Sequence, residues 1–235
     1  MRKILGVVGG MGPEATAYFY EEIIAHTDAG RDQDHIDMVI LSHASMPDRT
    51  EAIKSGNYDA FLSSMKGEIE KLEKCGAANI AIPCNTSHFF MDRIKDMTDI
   101  PVINMIEETA RSIAGGEIKV KKVGILATDG SIKTGLYQKA LEKEDLEYEI
   151  PDEEHQKLVM SLIYDDIKAG KLGDEDKFHA AVDHLHEKGC NVIILACTEL
   201  SVYKKHHKIP SHCVDSLDVL VRESIVRSGA VYKES

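Results

Sequence analysis

The stretch Ile80-Ala-Ile-Pro-Cys84-Asn-Thr86 has a near-copy late in the chain, Val192-Ile-Ile-Leu-Ala-Cys197-Thr198. In each, a short apolar run, which is typical of a buried parallel strand, ends at a cysteine that is followed by hydrogen-bonding residues. Gly76 and Gly189 each lie eight residues before their cysteine. Because open α/β sheets bind ligands at the carboxyl ends of their strands, the two cysteines mark the place where a site is expected.

The repeat extends on both sides of the cysteines. The strand Ile4–Val8 leads into a glycine turn, and its counterpart Val123–Ala127 leads into a polar turn at Thr128. Beyond the cysteines, a further strand is predicted at Pro101–Asn104, and residues 213–216 take its place in the second copy. The pattern therefore predicts an α/β chain made of two related halves, each contributing one cysteine at a strand end.

The predicted halves are not continuous in sequence. We expect the first to comprise residues 1–101 with 210–235 and the second to comprise residues 102–209. The amphipathic C-terminal helix Leu217–Arg227 is the segment that returns to the first half.

Composition excludes several classes of protein. The 235 residues carry a formal net charge of -12, which argues against nucleic-acid and anionic-membrane partners. The N-terminus has no leader-like apolar segment, and no run approaches the roughly 20 apolar residues of a spanning helix. The five cysteines do not form a disulfide framework, and the spacing of cysteines and histidines fits no compact metal site. We expect a cytoplasmic protein.

The glycine turn Gly10-x-Gly12-x-x-Ala15 matches the dinucleotide fingerprint. However, the acidic residue that should hold a ribose at the end of the second strand is missing, because Asp37–Leu41 is followed by Ser42 and His43. We therefore favour a nest of backbone amides at a helix start, suited to a carboxylate or a phosphate.

Three other side chains allow two interpretations from position alone. Arg49 is predicted in a loop just beyond the second strand, and Lys168 near the end of a helix over Glu153–Lys171. Each is either an ordinary solvated cation or a ligand for an anion. His88 follows Cys84 by four residues, so it is either a structural histidine or the partner of a nucleophilic cysteine.

Two thiols in duplicated contexts suit one reaction in particular. If the halves face each other across a pseudo-two-fold axis, one thiolate removes a proton from a carbon and the opposite thiol returns a proton on the other face. Each thiol then needs a pKa near the working pH. The amides at the N-terminus of a helix that follows each cysteine would lower this pKa further. Asn85, Thr86 and Thr198 are the natural hydrogen-bond donors to the resulting carbanion.

The sequence resembles the aspartate/glutamate racemase family. The resemblance runs through Gly9-Gly-Met-Gly-Pro13, Pro47-Asp-Arg49, Pro83-Cys-Asn-Thr86, Gly124-Ile-Leu-Ala-Thr128, Ile163-Tyr-Asp-Asp-Ile-Lys168 and Ala196-Cys-Thr-Glu199. It implies two flavodoxin-like or Rossmann-like parallel-sheet halves related by a pseudo-two-fold axis, with the site in the cleft between them. It also implies a homodimer that uses neither pyridoxal phosphate nor a metal.

The same resemblance implies roles for individual residues. Cys84 and Cys197 are the acid/base pair, and Arg49 and Lys168 bind the side-chain carboxylate of an acidic amino acid. Asn85, Thr86 and Thr198 are implied as ligands of the α-carboxylate region, with Ser87 and the Met11-Gly12 turn adjacent to them. Thr128 and Ser131 are implied as the matching contacts from the second half, and Glu199 as a further substrate-binding residue. Because Glu199-Leu-Ser follows the second cysteine instead of His-Tyr-Pro, the aspartate-racemase branch is favoured.

Two alternatives stay open. One is another reaction of the same superfamily, such as maleate cis-trans isomerisation or hydantoin racemisation. The other is a binding protein for acidic amino acids that does not catalyse a reaction. The expected substrate is aspartate or glutamate, and their difference of one methylene is worth only about 1 to 3 kcal/mol in a fitted pocket.

Overall fold

The computed structural model describes residues 3–234, which fall into two compact units. The first unit runs to Met105 and resumes at Leu217, and the second comprises Ile106–Ser216. The chain therefore passes from one unit to the other twice, each time just after the last sheet segment of a unit. None of the helices in the described part of the chain is long and apolar enough to span a membrane.

The first unit is built on three parallel strands in the order β2-β1-β3: β1 (Leu5–Gly9), β2 (Met38–Ser42) and β3 (Asn79–Ala81). Val102 extends this sheet beyond β3 by a single bridge to Ile80. Two short 3-10 helices lie at Asp32–Asp34 and Thr86–Phe90, and the α-helices are α1 (Pro13–His26), α2 (Arg49–Ser55), α3 (Asp59–Lys74) and α4 (Met91–Lys95).

The second unit begins in α5 (Met105–Ala114) and is built on four parallel strands in the order β5-β4-β6-β7. These are β4 (Val123–Ala127), β5 (Tyr148–Glu149), β6 (Val192–Ala196) and β7 (Cys213–Asp215). Its helices are α6 (Asp129–Thr134), α7 (Leu136–Lys143), α8 (Glu153–Ser161), a π-helical turn at Leu162–Ile167, α9 (Glu175–Glu187) and α10 (Thr198–His206), and α11 (Ser216–Arg227) leads back to the first unit. The predicted α/β class with two parallel-sheet halves is confirmed.

The two sheets repeat the same strand order around a central strand that carries a glycine. In β1, a Cβ on Gly6 would lie 2.9 Å from Cδ1 of Leu72 in α3. In β4, a Cβ on Gly124 would lie 2.9 Å from Cδ1 of Leu185 in α9. Only glycine therefore allows the helix to pack this closely against the strand.

The helices α3 and α9 also end in the same way. Gly76 and Gly189 both adopt positive φ, 76° and 90°, which glycine tolerates without a steric cost. In both, the next amide bonds back to a carbonyl in the last helical turn: Ala77 to Leu72 over 3.0 Å and Cys190 to Leu185 over 3.1 Å. This glycine-terminated helix end is common in proteins, and here it returns the chain to the sheet at equivalent points.

Two sequence predictions differ from the structure. The strand expected at Pro101–Asn104 is reduced to the bridge at Val102, because β3 is short and Pro101 has no N–H to donate. Arg49 is not in a loop but is the first residue of α2. The side chain of Asp48 caps this helix by accepting from the Glu51 amide over 2.8 Å.

Gly6→Ala should destabilise the protein, because the added methyl must displace both Leu72 and the Cβ of Ala77, which would also lie 2.9 Å away. Overpacking of this kind typically costs about 1 to 3 kcal/mol. Gly67→Ala is the matched control, since no atom lies within 4 Å of the added methyl and alanine is the better helix former in α3. Urea denaturation should show opposite shifts for the two variants, and equal shifts would refute the packing argument.

Candidate active site

In the first unit, the predicted residues lie at the carboxyl ends of parallel strands. Gly9 at the end of β1 pairs with Ser42 at the end of β2, and Cys84 follows β3. Met11 and Ser87 are in contact, because the Ser87 hydroxyl donates to the Met11 sulfur over 3.5 Å. The sheet edge thus collects the glycine turn and the first cysteine segment, as open α/β sheets do at their binding edge.

The glycine turn itself is tightly packed. Gly10 has a φ of 90°, and a Cβ there would lie 2.4 Å from the backbone of His43. The Gly10 amide donates to the Thr16 hydroxyl over 2.8 Å, and that hydroxyl donates to the Gly12 carbonyl over 2.9 Å. The expectation of an anion-binding nest is therefore wrong for the Gly10 amide, because an internal hydrogen bond already uses it.

Cys84 is buried, and the segment around it is held by backbone contacts. Its amide donates to the Ile82 carbonyl over 2.7 Å, so the chain turns sharply at Pro83 and leaves the sheet. Asn85, Thr86 and Ser87 are also buried. A 3-10 helix, Thr86–Phe90, follows the cysteine.

His88 forms hydrogen bonds with the backbone through both of its ring nitrogens. Nε2 accepts from the Met105 amide over 3.2 Å, so Nδ1 carries the proton and donates to the Cys84 carbonyl over 2.9 Å. This arrangement favours the structural interpretation over the cysteine–histidine pair of a hydrolase. Both ring nitrogens of His88 bond to backbone groups, and the contact with Cys84 is to its carbonyl and not to its thiol.

Arg49 is 9% exposed, an unusual degree of burial for an arginine. Its Nη1 donates to the Pro47 carbonyl over 3.0 Å and to the Met46 carbonyl over 3.4 Å. These contacts with the preceding turn hold the guanidinium at the start of α2. The structure therefore excludes the interpretation of Arg49 as a freely solvated side chain.

In the second unit, Thr128 and Ser131 follow the central strand β4. Thr128 caps α6 by accepting from the Ser131 amide over 3.3 Å, and its hydroxyl donates to the Ser131 hydroxyl over 3.2 Å. Both side chains are buried. Two of the residues predicted to contact the substrate from this half thus form one hydrogen-bonded pair at the strand end.

The second cysteine lies in a cluster of charged and polar groups. The Cys197 thiol donates to Oε2 of Glu199 over 2.9 Å, and the Thr198 hydroxyl reaches the same oxygen over 3.5 Å. Oε1 of Glu199 pairs with Nζ of Lys168 at 3.3 Å. Glu199 is 6% exposed, so its carboxyl group is buried between a thiol and an ammonium group.

This environment controls the ionisation of Cys197. Burial, followed by the charge and hydrogen bond of Glu199, raises the pKa of the Cys197 thiol well above its usual value. Lys168 and the Glu199 backbone amide at the start of α10 act in the opposite direction on this pKa. The amide at the helix N-terminus therefore acts on the pKa of this thiol in the expected direction, but desolvation and a buried carboxylate outweigh it.

Lys168 is placed by a feature that the sequence did not indicate. It follows the π-helical turn Leu162–Ile167, and its amide bonds to the Ile163 carbonyl over 3.0 Å. The ammonium group lies 4.8 Å from the ring centroid of Tyr164. Such π-helical turns are rare and occur frequently at functional sites.

One group outside these clusters has the composition of a metal site. Ligand atoms of Asp152, His155 and His184 lie within 4.8 Å of one another. However, the two imidazole rings stack with their centroids 3.9 Å apart and 15° between their planes, so their in-plane lone pairs do not converge on one ion. Asp152 also caps α8 by accepting from the His155 amide, which favours a structural role for the group.

Comparisons with known proteins agree with this architecture. The sequence model of the Asp/Glu/hydantoin racemase family matches residues 8–224. The chain is 26% identical to the broad-specificity amino-acid racemase RacX of Bacillus subtilis, over 94% of this chain and 96% of that protein. It also superposes on the aspartate racemase of Picrophilus torridus with a TM-score of 0.81 and 30% identity, covering 98% of this chain and 96% of the other.

Glutamate racemases share the fold at greater distance. The enzyme from Francisella tularensis, solved in complex with D-glutamate, superposes with a TM-score of 0.65 and 20% identity over 93% of this chain and 78% of that one. The chain therefore belongs to the Asp/Glu/hydantoin racemase family. As a member of that family, it is an amino-acid racemase.

His88→Ala should lower the free energy of unfolding, because it leaves the buried Met105 amide and Cys84 carbonyl without these partners. Each such loss costs about 1 to 3 kcal/mol. His206→Ala, at an exposed position in α10, should change it by no more than about 0.5 kcal/mol. Chemical denaturation measures both, and a His88 variant as stable as the control would contradict the structural role.

Proposed function

We propose that this protein racemises an acidic amino acid without a cofactor, with aspartate as the first candidate and glutamate as the second. The thiolate of one cysteine takes the α-proton from one face of the substrate. The thiol of the other cysteine gives a proton to the opposite face, which inverts the stereocentre. Proton and charge balance, because one thiol and one thiolate are present before and after the reaction.

The observation that carries this proposal is the equivalence of the two cysteines. Ile80 pairs with Gly6 of the central strand in the first sheet, and Ile193 pairs with Gly124 in the second. Cys84 lies four residues after Ile80, and Cys197 lies four residues after Ile193. A reaction that needs two similar acid/base groups is the simplest use for such a pair.

Removal of an α-proton places negative charge on the substrate carboxylate. We propose that Asn85, Thr86 and Thr198 donate hydrogen bonds to this group, assisted by Met11, Gly12, Ser87, Thr128 and Ser131. Donors that are already fixed in a buried site stabilise developing charge without reorganisation. The burial of Asn85, Thr86 and Thr198 supports this assignment.

Two cations are proposed to bind the side-chain carboxylate of the substrate, and they differ in how available their charge is. Lys168 already pairs with the buried Glu199, so a substrate must share it with another carboxylate. Arg49 is an arginine, whose planar guanidinium suits a bidentate contact with a carboxylate. We therefore assign the larger part of side-chain recognition to Arg49.

The Lys168–Glu199 pair also favours a second candidate, a racemase of broader specificity. A cation whose charge is compensated inside the protein discriminates less strongly between acidic and neutral side chains. The similarity to the broad-specificity racemase of Bacillus subtilis along nearly the whole chain is compatible with this candidate.

Incubation in D2O with single enantiomers tests both candidates. The purified protein, without added cofactor, should incorporate deuterium at Cα of aspartate and produce the opposite enantiomer, as followed by NMR and chiral chromatography. Exchange of alanine and lysine at similar rates would favour the broader candidate, and conversion of maleate would favour an isomerase. No exchange with any amino acid would refute the proposal.

The cysteine variants test the two-base mechanism in the same assay. Cys84→Ala and Cys197→Ala should each reduce racemisation at least about a thousandfold, while each retains slow deuterium exchange of one enantiomer only. Cys75→Ala, which removes an exposed cysteine of the first unit, should leave both rates unchanged. Full racemisation by either active-site variant would contradict the mechanism.

Arg49→Met should weaken the binding of dicarboxylic substrates by about 10- to 100-fold, which corresponds to the loss of a charge-assisted contact of about 1.5 to 3 kcal/mol. Arg93→Met removes an exposed arginine of α4 and should not change KM. A KM for aspartate that is equal in the two variants would refute the role of Arg49.

A further inference from the structure

The two cysteine segments are equivalent in the fold but differ in charge. The second residue after Cys197 is Glu199, whose carboxylate accepts the hydrogen bond of the thiol. The second residue after Cys84 is Thr86, which carries no charge. Among the described residues, no carboxylate accepts a hydrogen bond from the Cys84 thiol, and its segment is held by backbone contacts.

The contact at Cys197 discriminates between the two ionisation states of its thiol. A thiol can donate to the Glu199 carboxylate across 2.9 Å, whereas a thiolate at that distance would face a second negative charge in a buried site. Lys168 compensates Glu199 from the other side, at Oε1. A carboxylate placed in this way accepts from a thiol and disfavours a thiolate on the same sulfur.

We propose that Glu199 is a positioning residue that keeps the proton on Cys197, so that Cys197 is the proton donor of the resting enzyme and Cys84 is the base. This inference rests on the proposed two-thiol reaction. Cys84 as thiolate takes the α-proton, and Cys197 gives its own proton to the opposite face. The reaction leaves a thiol at Cys84 and a thiolate at Cys197, and proton exchange with solvent restores the resting state.

The surroundings of the cluster agree with this assignment. Lys168, from the end of the π-helical turn, is the cation that favours the thiolate. Tyr137, from α7, is fully buried, and burial raises the pKa of its hydroxyl, so it faces Cys197 as a neutral group. Beyond it, Asp215 of β7 accepts from the Ser201 hydroxyl over 2.7 Å. Burial and Glu199 together raise the pKa of Cys197.

NMR titration of the full chain labelled with [3-13C]cysteine tests the inference without requiring reagent access to buried thiols. In Glu199→Gln, the titration midpoint of Cys197 should fall by about one pH unit or more, which is at least a tenfold gain in thiolate at a fixed pH. In Lys168→Met, the same midpoint should rise. Glu153→Gln, an exposed glutamate of the same unit, should leave it unchanged.

The midpoint of Cys84 should stay in place in all three variants. Equal shifts at Cys84 and Cys197, or no shift at Cys197, would overturn the inference. Glu199→Asp keeps the charge with a shorter side chain, and its Cys197 midpoint should lie between those of the wild type and Glu199→Gln. This variant keeps the inference testable if Glu199→Gln does not fold.

Deuterium exchange in single-cysteine variants connects the titration to the reaction. Because enantiomers have an equilibrium constant of one, kcat/KM is equal in both directions and cannot reveal unequal thiols. In Cys84→Ala, adding Glu199→Gln should shift the pH profile of exchange to lower pH, by the same amount as it shifts the titration midpoint of Cys197. In Cys197→Ala, the same substitution should change the profile little.

The outcomes separate this inference from the proposed function. Shifted midpoints without exchange of any amino acid would refute the racemase function and still support the proton-holding role of Glu199. An equal loss of exchange in both single-cysteine backgrounds, with unchanged midpoints, would overturn the inference and assign Glu199 to substrate binding.

Discussion

The position of each cysteine depends on one close contact between a helix and the central strand of its sheet. α3 packs over Gly6 and α9 over Gly124, and a Cβ at either glycine would lie 2.9 Å from a leucine methyl of the helix. Each helix then ends at a glycine with positive φ, and the strand that follows pairs in a fixed register with the central strand. The cysteines are therefore placed by backbone packing and not by contacts of their own side chains.

This shared scaffold carries two different electrostatic environments. A 3-10 helix follows Cys84, whereas Cys197 directly precedes the longer helix α10 and its thiol donates to the buried carboxylate of Glu199. Two thiols with identical surroundings would compete for the same proton. In the proposed reaction, different surroundings are the means by which the two thiols acquire separate acid and base roles. In this chain the repeat places each cysteine after an equivalent strand, and the departure from the repeat gives Cys197 the carboxylate of Glu199 as a partner.

Much of the fold could be predicted from the sequence, because the signals are local. An apolar run precedes both Cys84 and Cys197. Gly76 and Gly189 lie at the same distance before their cysteines. The predicted strand after Pro101 failed because strand formation also depends on the neighbouring strand, and β3 is too short to pair with more than Val102. The capping of α2 by Asp48, which places Arg49 at a helix start, was present in the sequence but was not recognised.

The site was less predictable, because its decisive contacts join residues that are distant in sequence. Lys168 and Glu199 were both expected near the substrate, but their pairing depends on a π-helical turn. That turn arises from a shift in backbone hydrogen bonding that no residue pattern marked. Likewise, the contact between His88 and the backbone amide of Met105 joins residues that are 17 positions apart.

The buried carboxylate explains why Lys168 cannot be considered apart from Glu199. A glutamate that is 6% exposed would lose its charge or destabilise the fold if it were not paired. Its ammonium partner is therefore required by the protein before any substrate arrives. A ligand carboxylate that approaches Lys168 brings a second negative charge to one ammonium group, so a second cation is needed to bind it tightly. In a chain with a net charge of -12, long-range attraction does not supply that binding. For the proposed acidic substrate, we therefore assign selectivity to a buried, directional cation, and Arg49 is buried with its guanidinium held by two backbone carbonyls.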